Sequence, residues 1–141
     1  MLVLPIIAGL FAQFLKFFFK SNRQKYKFKS IFAYSGMPSG HSAMVVSLAT
    51  IAGLQEGWAS PAFAISFILA AVVIRDALGI RRYLGEHGHI LNVLVKDLKR
   101  DEISLPEHYP HLLEKIGHTP AQVIVGSLIG LIISLIGFFY F

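Results

Sequence analysis

The run Gly36-Met37-Pro38-Ser39-Gly40-His41-Ser42 stands where a basic stretch meets a long apolar segment. A helix beginning there sets its unpaired N–H groups and the positive end of its dipole at a water boundary, which suits a phosphate. Ser39 offers a hydroxyl donor, Gly40 lets an oxyanion approach the backbone, and His41 can carry a proton near neutral pH. The plainer reading is that proline and serine cap a helix and His41 is an interfacial residue. The other side chains able to act on such an anion are scattered along the chain: Lys16, Arg23, Asp76, Arg81, Arg82 and His118.

Four apolar segments position them, at 2–19, 41–57, 61–80 and 119–141, each close to the ~20 helical residues that cross a bilayer. The charged share of 15% is far below the ~25% of soluble domains, which places the chain in a membrane. No basic residue precedes the first segment, so it is expected as a retained span. Pro61 suits the first turn of the third span, and Thr119-Pro120 reads as cap and first helical residue of the fourth. Gly126 and Gly130 make a small-residue face for close helix packing. In 81–117 the composition changes: Leu91, Leu94, Val95 and Leu98 recur at helical spacing with Lys96, Asp97 and Lys99 on other faces. This predicts an amphipathic helix on the membrane surface or over the bundle, a break at 101–106, and a short helix around 107–116. The fold class is all-α: an integral membrane bundle of about four spans plus an amphipathic surface helix, in a single domain over 1–141 with 81–117 as an insertion able to act as a lid.

If the spans alternate, the 20–29 loop and 81–117 lie on one side. The first of these carries Lys20, Arg23, Lys25, Lys27 and Lys29 with no acid, so the positive-inside rule puts both in the cytoplasm. The formal net charge of +5 is gathered between apolar blocks, which fits anionic lipid headgroups better than nucleic acid. Every group named above then falls on one face of the membrane. With no cysteine, disulfides, thiolate metal sites and a cysteine nucleophile are excluded.

These residues resemble the divergent branch of the type 2 phosphatidic acid phosphatase and vanadium haloperoxidase superfamily. Lys16-Phe-Phe-Phe-Lys-Ser-Asn-Arg23 has the spacing of that superfamily's Lys-x6-Arg-Pro motif, with Gln24 in place of the proline. Pro38-Ser39-Gly40-His41 is its second motif intact, and Asp76-Ala-Leu-Gly-Ile-Arg81-Arg82 and Gly117-His118-Thr-Pro-Ala-Gln122 resemble the branch's later signatures. Where the superfamily places an acid four residues after the histidine, this chain has Gln122, and about 35 residues separate Arg82 from His118. The resemblance implies metal-free phosphoryl transfer without a cofactor. His118 would attack phosphorus and His41 would protonate the leaving oxygen. Lys16, Arg23, Ser39, Gly40 and one of Arg81 or Arg82 would bind the phosphate oxygens, with Asp76 and Gln122 supporting the reacting groups.

Each assignment has a plainer rival. Lys16 can snorkel from the interface, with Lys20 one turn on as an alternative. Arg23 can be ordinary positive-inside charge, and Asp76 can simply pair with an arginine. Thr119-x-x-Gln122 is also a capping box, which would account for Gln122 structurally. Glu86 with His89 offers only two ligands, too few for zinc, and His87 faces elsewhere, so no metal is expected; His108 and His111 receive no role. The expected partners are a lipid phosphate substrate, the bilayer, and a second copy that could complete the bundle or cover Gly126 and Gly130. The rival functions are a non-catalytic protein binding anionic headgroups or scaffolding an assembly and, less favoured because no ionisable group sits at mid-membrane, a small transporter.

Overall fold

In the computed structural model, residues 2–18, 37–100, 111, 112, 114 and 117–140 are described, the side chain of Lys99 excepted. The described elements are helices: α1 (Val3–Leu15), α2 (Gly40–Glu56), α3 (Pro61–Leu78), α4 (Ile80–Arg100) and α5 (Pro120–Tyr140). All four apolar segments become helices. Among the described residues α3 and α5 are long and apolar enough to cross a membrane, whereas α1 is an apolar helix of 13 residues and α2 has 17. The amphipathic segment is longer than its leucine repeat suggests, because Gly79 only briefly interrupts helix between α3 and α4. Of the short helix expected at 107–116, only His111, Leu112 and Glu114 are described, and none of the three is helical. The 20–29 loop and the break at 101–106 lie outside the described residues.

Side-chain caps open α3 and α5. Ser60 Oγ accepts from the Phe63 N–H at 3.1 Å, with Pro61 in the first turn of α3. Thr119 and Gln122 form a reciprocal box at the start of α5, the Thr119 N–H donating to Gln122 Oε1 at 3.0 Å and the Gln122 N–H to Thr119 Oγ1 at 3.4 Å.

Helix α2 is the hub and packs against α1, α3 and α5. Its neighbours close on it through small residues: Ala8, Ala12, Ala43, Ala49, Ala52, Ala70 and Ala77 are buried, while Leu10, Phe14, Ile65, Phe67, Ile68, Leu128 and Ile132 face outward. Large apolar side chains outside and small ones inside invert the soluble pattern and match a bundle whose solvent is lipid. Inside it, Ser47 and Ser134, both fully buried, share a 2.7 Å hydrogen bond across α2 and α5, and Ser134 also donates to the Ser47 carbonyl.

Gly126 and Gly130 set the closeness of that pair. A Cβ on Gly126 would run into the Ser39 carbonyl, and one on Gly130 into that of Ala43. The glycine face is therefore occupied within the chain, so it is not the surface that a second copy would cover. Gly130→Ala is expected to destabilise the bundle by about 1–3 kcal/mol, because the atoms it would meet are the backbone of Ala43 and the helices themselves must part. Thermal unfolding in one detergent measures it, and an unchanged midpoint would contradict this packing.

Candidate active site

The site is assembled where α2 and α5 begin and α3 gives way to α4. At the start of α2, Ser39 is fully buried in an extended conformation. Its Oγ accepts from the Ser42 N–H at 3.3 Å and from the Ser42 hydroxyl at 2.9 Å. Its own N–H donates to the Gln122 carbonyl at 3.1 Å, which ties the start of α2 to the first turn of α5. Gly126, one turn further on, permits this approach. Gly40, also buried, opens α2; the first-turn N–H groups of such a helix have no intrahelical partner.

His118 arrives from the other direction. Its N–H donates to the Ala77 carbonyl at 3.0 Å. Gly117 before it has φ +98°, a left-handed conformation suited to glycine, and sits so close to the Arg81–Arg82 backbone that a Cβ would clash. His118 is only 5% exposed, and among the described residues neither ring nitrogen has a hydrogen-bond partner. Burial first, then the positive charges of Lys16, His41 and Arg81, push its pKa from the usual 6.5 down to about 4. At neutral pH His118 is therefore an uncharged ring with a lone pair. A buried polar group with no protein partner calls for a ligand or a reaction to explain it.

The cationic groups form a single electrostatic cluster. Lys16, at the end of α1, and Arg81 act on both His118 and His41, and Asp76 acts on His41. Asp76 Oδ2 accepts from Arg81 Nε at 2.6 Å, both side chains about one-third exposed, so Asp76 pairs with an arginine as its depth in the span suggests. One of the five guanidinium N–H donors is used by this contact. His41 is exposed in the first turn of α2.

Of the two arginines open at the sequence level, Arg81 joins the cluster. Arg82 turns to the surface, where its Nε donates to Glu86 at 3.3 Å. Gln122 spends its carboxamide oxygen on the capping box and makes no hydrogen bond to His118. Arg23 and Lys20 lie outside the described residues. Among the described residues there is no group of three or more His, Asp or Glu able to hold a metal ion.

One polar residue of the site escapes motif reading. Gln13 packs its carboxamide against Gly40, and its buried Oε1 has no hydrogen-bond partner among the described residues. The signal was an amide inside an apolar span, three residues before Lys16 and so on the same helical face.

Fold and site together define a small all-helical membrane protein with two histidines and a cationic cluster at converging helix starts. The chain belongs to the divergent PAP2 family, whose family model matches residues 1–133, a divergent branch of the phosphatidic acid phosphatase superfamily. It is 34% identical over 151 residues, covering 99% of this chain and 94% of the relative, to the "Uncharacterized membrane protein YuiD" of Bacillus subtilis (strain 168). No solved structure matches the chain.

Proposed function

We propose that this protein is a metal-independent membrane phosphatase that hydrolyses a lipid phosphate or diphosphate through a phosphohistidine. The observation that carries this reading is His118: buried, uncharged at neutral pH, with two ring nitrogens that have no hydrogen-bond partner among the described residues, and within electrostatic reach of Lys16, His41 and Arg81. An imidazole nitrogen attacks phosphorus with its lone pair as the bond to the leaving oxygen breaks, and His41 gives its proton to that oxygen. Water then attacks the phosphohistidine, His41 takes a proton from it, and orthophosphate leaves. Lys16, Arg23, Arg81 and the first-turn N–H groups at Gly40 and His41 hold the equatorial oxygens, over which phosphoryl transfer spreads charge. Ser39 shapes this end of α2 from beneath, and Arg82 guides anions from the rim. A site at the ends of membrane helices lets the acyl or isoprenoid tail stay in lipid while the headgroup meets the histidines. The basic 20–29 loop supports a cytoplasmic position for this face by the positive-inside rule.

One observation favours a second reading, a non-catalytic protein that binds anionic headgroups. With Gln122 engaged by Thr119, no described carboxylate or amide orients the His118 ring.

Purified protein in EDTA, offered a panel of lipid phosphates and diphosphates, decides between them. The phosphatase reading expects phosphate release that vanadate inhibits. His41→Ala should lower the rate ~10²–10⁴-fold on alkyl phosphates and far less on aryl phosphates, whose leaving group needs no proton. Binding without release supports the second reading, and release indifferent to both vanadate and His41→Ala ends the first.

A further inference from the structure

The proposed chemistry leaves unused a set of polar contacts on α4. Asn92 Nδ2 donates to the Leu112 carbonyl at 2.9 Å and to Glu114 Oε1 at 2.8 Å, while the Leu112 N–H donates to Asn92 Oδ1 at 3.0 Å. His89 Nδ1 meets Glu114 Oε2 at 2.9 Å. One side-chain amide thus satisfies both backbone groups of a residue 20 positions away, and with His89 it holds both oxygens of Glu114.

These bonds are not needed to close the bundle, because α5 is already seated on α2 through Gly126 and Gly130. What they fix is Leu112 and Glu114, six and four residues before His118 in the sequence. Downstream of them come Gly117, seated on the Arg81–Arg82 backbone, and the bond from the His118 N–H to Ala77. Two ties therefore bracket this stretch of sequence, Asn92 on α4 holding Leu112 and Glu114, and Ala77 at the end of α3 holding the His118 N–H. With no hydrogen bond to its ring among the described residues, His118 depends on its backbone for its placement.

We infer that Asn92 is a positioning residue for His118, setting through Leu112 and Glu114 where the imidazole stands relative to the cations and the start of α2. The inference rests on the phosphatase reading for its kinetic consequence. A displacement of about 1 Å at a reacting group can cost ~10² in rate, so loosening this tie acts on turnover more than on binding.

Asn92→Asp is the informative substitution. It keeps the size of the side chain and the acceptor for the Leu112 N–H, removes both donations, and sets a carboxylate against Glu114. The expected result is a ~10–100-fold fall in kcat with KM and the unfolding midpoint little changed. Adding Glu114→Gln restores a donor to the new carboxylate and removes the like charge, so the double variant should recover most of the lost rate. Glu114→Gln alone, which leaves the Asn92–Leu112 pair intact, should cost little. An unchanged kcat in Asn92→Asp, or a fall that tracks lost folding and is not rescued, overturns the inference. The His118 ring titration, followed by NMR in labelled protein, reads the same geometry without turnover. Asn92→Asp should move the titration up toward the ordinary histidine value as the ring loses its buried place, and an unmoved titration counts against positioning. If wild-type protein releases no phosphate while the titration still moves, the phosphatase reading fails and the positioning role stands.

Discussion

His118→Leu is expected to make the protein more stable and inactive at once. Among the described residues neither buried imidazole nitrogen has a hydrogen-bond partner, and each such group costs about 1–3 kcal/mol relative to a satisfied one. A leucine fills a similar space with no polar atom to desolvate. Its unfolding midpoint should therefore rise by several degrees, while phosphate release falls by about 10⁴-fold or more through loss of the nucleophile. Vanadate supplies the complementary measurement. A ligand that binds only the folded state adds about 2.7 kcal/mol at a hundred times its Kd, so vanadate should raise the wild-type midpoint and leave that of His118→Leu unmoved. A core histidine with a purely structural role gives the opposite pair of results: a lower midpoint and unaltered release. The conflict between stability and activity at one residue is the signature of a site kept polar for its chemistry.

The parts of this arrangement that were legible in the sequence are those governed by local rules. Ser39 and Thr119 cap helices because short hydroxyl side chains satisfy first-turn N–H groups wherever a helix starts. The Gly126/Gly130 spacing announced a close helix contact, although only the structure shows the partner to be α2 of the same chain. The choice between Arg81 and Arg82 could not be read, since adjacent residues on a helix point about 100° apart and the phase of α4 is set by the break at Gly79. Asn92 was invisible for a different reason. Its partners lie 20 and 22 positions away in chain without regular structure, and no periodicity encodes such a pairing. Gln13 gave a signal, an amide in an apolar span, but motif matching passes over a residue that belongs to no motif. Family resemblance therefore named most of the cluster, and helix phase and long-range hydrogen bonds decided which members meet.

The acid limb of kcat/KM should report His118 and should respond to Lys16. Attack requires the neutral ring, and in the free protein that ring holds its proton only below about 4, because burial and then the charge of Lys16 oppose protonation. Activity should accordingly persist well below pH 6.5 and fall with an apparent pKa near 4, since kcat/KM follows ionisations of the free enzyme. Stability moves in the same window. Between the unfolded value of 6.5 and the folded value of about 4 the unfolded chain binds the extra proton. The pH-dependent stability linked to His118 is therefore fully present above pH 6.5 and is lost as the pH falls through the folded pKa, whatever the net cost of burying the neutral ring. Lys16→Gln removes the foremost of the neighbouring charges, so the folded pKa rises toward 6.5 and the limb shifts to higher pH while phosphate affinity weakens. Lys16→Arg retains the charge and should hold the limb in place. An acid limb near 6.5 in the wild type, unmoved by Lys16→Gln, would mean that the titrating group is an ordinary exposed histidine and that His118 does not stand among these cations.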